Sequence, residues 1–266
     1  MRPDLIAASF SVLRQNKQLI LFPILSSIAA LAVLAAFFGY GPVSILPGAP
    51  FYRFGPNAYP VLFAWYCVAA FSAIFFNCAL AACAQECLAG GHPTVAFGLR
   101  RALDHAGAIL VWAIISSTVG ILLKFIERRV PFAGKIAVWL FGAAWGMASY
   151  LVVPVLIVEN RNAGDSLRRS SRLLRETWGQ QLTAGIRFGW RFLLFFVPGI
   201  VVGAIGMSGY PSLIAVAVVY IVALAMVMSA AIGIFKVALY RYAVGDSLPA
   251  AWSQDWMSSA FRPSHP

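Results

Sequence analysis

Charged residues are missing from long intervals of this chain, and the lengths of those intervals restrict what it can fold into. The hydrocarbon core of a bilayer, about 30 Å thick, needs about 20 apolar residues per crossing helix. Residues 19–40 form 22 positions without a charge and residues 54–85 form 32. Eighteen uncharged positions separate His105 from Lys124, residues 136–158 add 23, and residues 192–235 add 44. The last interval is broken at Gly206, Gly209 and Pro211, which predicts two helices joined by a tight turn. The sequence therefore predicts an all-α polytopic transmembrane bundle of about six spans, arranged as three hairpins.

The fifth span is expected near residues 182–205, with Arg187 and Arg191 snorkelling from its first turns to the headgroups. A transmembrane β-barrel is excluded, because it requires alternating segments of about ten residues rather than continuous apolar runs. A water-soluble domain is excluded as well: 61% of the residues are hydrophobic and 11% are charged, against about a quarter charged in ordinary soluble domains. The first apolar run is too long for a signal-peptide core of about 7–15 residues, so the N-terminal segment is expected to stay attached. Cys67, Cys78, Cys83 and Cys87 all fall in or at the end of span two. They cannot staple separate parts of one chain, which leaves only an intermolecular bridge.

Sorting the 20 Lys and Arg by loop puts 15 on the side of the N terminus and five opposite. The positive-inside rule then places both termini in the cytoplasm of a multi-pass protein. The turn carrying Lys124, Arg128, Arg129 and Lys135, with only Glu127 to offset them, would lie outside. Either it pairs internally and with lipid phosphates, or spans three and four form a re-entrant hairpin. The length of the fourth stretch favours the first account.

Aligning Pro3, Pro93 and Gly164 brings Leu13, Leu103 and Leu174 into register, each ahead of an apolar run. This predicts a single membrane domain, 1–266, built from pseudo-repeats 1–91, 92–162 and 163–244, with 245–266 an amphipathic tail. The repeated Gly-Asp-Ser-Leu at Gly164 and Gly245 marks a truncated fourth start. Each repeat is expected to open with an amphipathic helix in the cytoplasmic interface. The apolar faces would be Ile6, Phe10 and Leu13; Val95, Leu99 and Leu103; Leu167, Leu174 and Trp178; and, in the tail, Leu248, Trp252 and Trp256. On the third helix, Arg168, Arg169, Arg172 and Arg175 are candidate contacts for anionic lipid headgroups, the alternative being that they only set topology.

A search for chemistry finds little. Gly206-Met207-Ser208-Gly209 matches the Gly-x-Ser-Gly pattern around the nucleophile of rhomboid-type intramembrane proteases, but the only histidine after it is His265, near the chain end. A serine nucleophile needs a base within hydrogen-bond reach, so the motif reads as a turn. His92, Cys83 and Cys87 fall short of the four ligands of a structural zinc. No catalytic residue, metal ligand or cofactor site is expected. Ionisable groups inside the spans, the usual mark of an ion pathway, are nearly absent: Asn77 and Lys236 are the polar exceptions. Pro23, Pro154 and Pro198 fall inside spans and free backbone carbonyls at kinks. Asn77, Pro154 and Glu159 are accordingly the candidate cavity or kink residues, with a helix-end salt bridge to Arg161 the plain account of Glu159.

Phe22-Pro23-Ile24-Leu25-Ser26, Trp112-Ala113-Ile114-Ile115-Ser116, and Val153-Pro154-Val155-Leu156 with Glu159, Ser170 and Trp178-Gly179 resemble an uncharacterised family of bacterial polytopic membrane proteins, a domain of unknown function, up to about Trp190. The order of amphipathic segment and hairpin distantly resembles the membrane domain attached to some glycerophosphodiester phosphodiesterases. The soluble phosphodiesterase barrel of those proteins has no counterpart in this sequence, so the second resemblance implies no catalysis. The first resemblance implies a bacterial inner-membrane location and brings no activity. The leading expectation is a non-enzymatic membrane scaffold or accessory protein contacting anionic lipid or a partner protein, and not nucleic acid. The alternative is a transporter or lipid-handling protein with a cavity near kinked helices.

Overall fold

The computed structural model describes residues 5–40, 43–44, 53–54, 58–178, 195–207 and 210–246. In chain order these form α1 (Leu5–Gln15), a 3-10 turn (Lys17–Ile20), α2 (Leu21–Tyr40) and α3 (Ala58–Leu88). Then follow α4 (Val95–Asp104), α5 (Ala106–Arg129), α6 (Phe132–Ala148), α7 (Val152–Val158), α8 (Ala163–Trp178), α9 (Val197–Met207) and α10 (Pro211–Val244). Between α2 and α3, β1 (Val43–Ser44) pairs antiparallel with β2 (Arg53–Phe54). The all-α expectation therefore holds among the described residues apart from this two-residue pair.

Among the described residues, five segments are long and apolar enough to cross a membrane: Lys17–Phe38, Pro60–Leu88, Ala106–Arg129, Gly134–Val158 and Pro211–Val244. Helix α9 is apolar but has 11 residues, about 16 Å at the α-helical rise, which is half a crossing. The upstream part of the expected fifth span, including Arg187 and Arg191, lies outside the described residues, as do Ser208, Gly209 and the tail tryptophans.

Helix lengths explain where the core sits. Helix α3 has 31 residues and α10 has 34, about 46 and 51 Å, well beyond a 30 Å apolar layer. At the C-terminal ends of both, α1, α4, α7 and α8 pack around the excess length. There Cys78–Ala84 of α3 is buried at every successive position, as are Leu151, Val152, Val155 and Leu156 beside it and Ile234, Val237, Ala238 and Tyr240 of α10. Toward the other end of the bundle large apolar side chains face outward, among them Leu31, Leu122, Trp139, Phe141 and Val219. That is the pattern of a surface whose solvent is hydrocarbon rather than water.

Small residues make the packed end possible. A Cβ on Gly98 would lie 2.6 Å from Cys83 Sγ, 2.7 Å from the Ala79 carbonyl oxygen and 2.8 Å from Phe22. Helix α4 therefore crosses α3 at backbone contact. Its inward face is Gly98 and Ala102 with half-buried Val95 and Leu99, and Leu103 is 62% exposed. This corrects the expected apolar face, in which Leu103 was equivalent to Leu13 and Leu174; those two are buried. The amphipathic helices are in fact part of the core and not only surface floats.

The prolines also sit differently from mid-span kinks. Pro23 lies in the first turn of α2, straight after the 3-10 turn, and Pro198 in the first turn of α9. Pro154 lies in the first turn of α7, after a break at residues 149–151 that divides the fourth apolar stretch into α6 and α7. Proline is tolerated in a first turn because the missing N–H has no helical acceptor there. The four cysteines are free and all on α3.

Candidate functional site

Two features at different depths bring the polar residues together. The first is α8 with the end of α7. Asn160, at φ 50°, turns the chain out of α7, and Asn162 opens α8. The Asn162 Oδ1 accepts from the Asp165 backbone N–H at 2.9 Å while its amide donates to the Asp165 carboxylate at 2.7 Å, a reciprocal cap that satisfies a free helix-end donor. One face of α8 (Ala163, Ser166, Ser170, Leu173 and Leu174) is buried. Ser170 Oγ accepts from the Leu151 backbone N–H at 3.1 Å, so α8 caps α7 in turn.

Arg168, Arg172 and Arg175 each follow a buried residue by two positions, about 200° around a helix, and all three are exposed. Arg168 approaches Asp165 at 3.6 Å with 85% of its side chain exposed. Arg169 departs from the expected set: its Nε bonds Glu159 Oε1 at 3.1 Å, turned in toward the core. Glu159 Oε2 also meets Arg161 Nε at 2.5 Å, and Oε1 accepts from the Tyr240 hydroxyl of α10 at 3.2 Å. Partial burial alone would raise the Glu159 pKa, but hydrogen bonds from Arg169, Arg161 and Tyr240 and the charge of Arg169 outweigh it and hold the carboxyl below its usual range. Glu159 thus ties α7, α8 and α10 together.

The second feature is a cavity of about 350 Å³ between α2, α3 and α10. Phe22, Pro23, Ser26 and Ser27 line it from α2, Phe76, Asn77 and Leu80 from α3, and Val222, Ala225, Met226 and Ser229 from α10. Asn77 lines this cavity, whereas Pro154 and Glu159 are not among its lining residues. The sequence offers Ser26 only as part of a family-like run and gives no sign of Ser27 or Ser229, since serines on two helices acquire a common meaning with Asn77 only once the three helices meet. The spacing of Val222, Ala225, Met226 and Ser229 at i, i+3, i+4 and i+7 is the signal of a shared face.

At the opposite end of the bundle, Lys124, Glu127, Arg128, Arg129 and Lys135 are all exposed. Arg129 lies 4.1 Å over the Phe125 ring, and no ion pair among the described residues joins Glu127 to this turn. Among the described residues no cluster of three or more metal-ligating side chains occurs.

The model of one protein family, a family of unknown function (DUF6159), matches residues 57–248. The match takes in α3 to α10 and leaves out α1 and α2, including the Phe22–Ser26 run. No curated protein and no solved structure matches the chain.

Proposed function

Because this chain belongs to DUF6159, a family with no function to pass on, we propose a function from its geometry: a non-enzymatic membrane scaffold whose α8 rests on the anionic headgroups of the leaflet beside it. The observation that carries this reading is the division of α8 into a buried face and an opposite face bearing Arg168, Arg172 and Arg175. A helix pinned to a bundle in this way presents its cations at fixed depth, without the entropy cost of ordering a loop.

The wider charge distribution supports it. Eleven basic side chains lie on the elements of the packed end and the turns that join them, against six acidic ones, so the end as a whole is attracted to negative lipid. Near a charged membrane surface each basic residue is worth about 1 kcal/mol. The three outward arginines then contribute about 3 kcal/mol, less the part offset by Asp165. In this account the chain crosses a bacterial inner membrane six times, α9 completing a span that begins upstream, and both termini lie in the cytoplasm with α1, α4 and α8. The basic charge flanks apolar spans, the pattern of topology and lipid contact rather than of nucleic-acid binding.

The test is lipid retention. Protein released from nanodiscs of equimolar phosphatidylglycerol and phosphatidylcholine is weighed by native mass spectrometry. Retained lipid enriched in phosphatidylglycerol, with the enrichment lost in R168Q/R172Q/R175Q, supports the reading. Equal retention of the two lipids by the wild-type protein rejects it. A second reading, lipid handling, is favoured by the cavity at Asn77.

A further inference from the structure

The α2–α3–α10 cavity has a chemical character independent of α8. Ser26 lies nine residues beyond Lys17, Asn77 nine before Glu86, and Ser229 seven before Lys236. At helical rise these are about 10–14 Å from the nearest charged position on each helix, beside the packed end and so near that edge of a 30 Å apolar layer. Four hydrogen-bonding side chains, Ser26, Ser27, Asn77 and Ser229, therefore meet at one depth near the edge of the apolar layer, where a lipid's polar head gives way to its tail.

Their protein partners are incomplete. Ser27 Oγ donates to the Pro23 carbonyl at 2.8 Å and Asn77 Nδ2 donates to the Ala73 carbonyl at 2.8 Å. Both keep acceptor capacity, and Asn77 keeps a second N–H. Among the described residues no hydrogen bond satisfies the hydroxyls of Ser26 or Ser229. An alkyl chain in the cavity would leave the hydroxyls of Ser26 and Ser229 and the remaining capacity of Asn77 and Ser27 unmatched, at a cost for each.

Nor does the cavity suit a charged group. Its lining contains no Lys, Arg, Asp, Glu or His, and an ion moved there would lose its hydration without a counter-charge. Its volume lies in the lower part of the range for small-molecule sites. Asn77, Ala225 and Ser229 are exposed at its mouth, so a molecule bound by its polar end could let an apolar tail leave sideways into the bilayer. We propose that this cavity binds a neutral amphiphile, a molecule with an uncharged hydroxyl or carbonyl head held by Ser26, Asn77 and Ser229 and a tail that stays in the lipid.

The probe for testing it is a monoacylglycerol carrying a diazirine near its head, added to proteoliposomes and crosslinked by light. Saturable labelling of residues 22–27, 76–80 or 222–229, competed by unlabelled monoolein, is the expected result. S26A/S229A removes two hydroxyls without adding bulk, and half-saturation should move by about fivefold per hydrogen bond lost. A225W fills the cavity and should abolish competition, whereas V219W, on the outward face of α10, should not. Labelling that does not saturate, or that A225W and S26A/S229A both leave unchanged, overturns the proposal. So does competition by phosphatidylglycerol equal to that by monoolein, since the site would then not prefer a neutral head. Neither result bears on the arginine face, whose variant R168Q/R172Q/R175Q should label like the wild type.

Discussion

Replacing Gly98 with alanine adds one methyl group where α4 crosses α3 at backbone contact. Carbon atoms in favourable contact lie about 3.5–4.0 Å apart, so contacts of 2.6, 2.7 and 2.8 Å to Cys83, Ala79 and Phe22 are each about 1 Å too short. None of the three can yield cheaply. One is a backbone oxygen, and Cys83 and Phe22 are both 1% exposed. Overpacking of a tight core costs about 1–3 kcal/mol, and this site belongs at the upper end. Alanine returns about 1 kcal/mol through its helix propensity, leaving a net loss of about 2 kcal/mol. For a chain of this size that is about 4–8 °C in Tm. Tryptophan fluorescence during heating in detergent measures it, with the stacked Trp112 and Trp145 as natural reporters. Gly146 supplies the opposite case: a Cβ there meets nothing within 4 Å, so Gly146→Ala should raise Tm slightly. Equal or greater stability of Gly98→Ala than of the wild type would refute the close α3–α4 crossing.

Two further substitutions probe the α7–α8 junction. Ser170→Ala strips the acceptor from the Leu151 N–H, which is buried, and should cost about 1–3 kcal/mol, seen as a lower denaturation midpoint; an unchanged midpoint would mean that α8 does not cap α7. Glu159→Gln leaves Arg169 and Tyr240 without their carboxylate and should destabilise by about 1–2 kcal/mol, below the range for fully buried pairs because the site is partly wet. The Glu159 carboxyl is depressed in the folded state. Its stabilisation is therefore complete above the unfolded carboxyl's pKa and is lost as pH falls through the folded value. Acid titration of Tm should show this loss in the wild type and a smaller one in Glu159→Gln.

The spans were legible because the absence of charge is read one residue at a time. Intervals 19–40, 54–85 and 136–158 correspond to α2, α3 and α6 with α7 within a few residues, and the second half of 192–235 to α10, which runs on past Lys236 to Val244. The break before α7 was not legible, since Pro154 alone does not say whether it kinks a helix or begins one. Leu103 misled for a different reason. The inward face of α4 is chosen by how closely its backbone can approach α3, so Gly98 and Ala102 are buried while the larger leucine turns out. Arg169 was grouped with its neighbours by charge, although only the fold brings Glu159 within reach. Of the cavity, Asn77 could be singled out as a polar residue in an apolar run, whereas its serine partners lie about 50 and 150 residues away in the chain.

The account depends most on which side of the membrane holds the packed end, and reporter insertions at four positions read this directly. Reporters at Gly48 and Met207 should be active outside the cytoplasm, and those at Ala163 and Ser258 inside. A cytoplasmic signal at Gly48, or an external one at Ala163, would contradict both the six-span topology and the placement of α8 on the cytoplasmic leaflet.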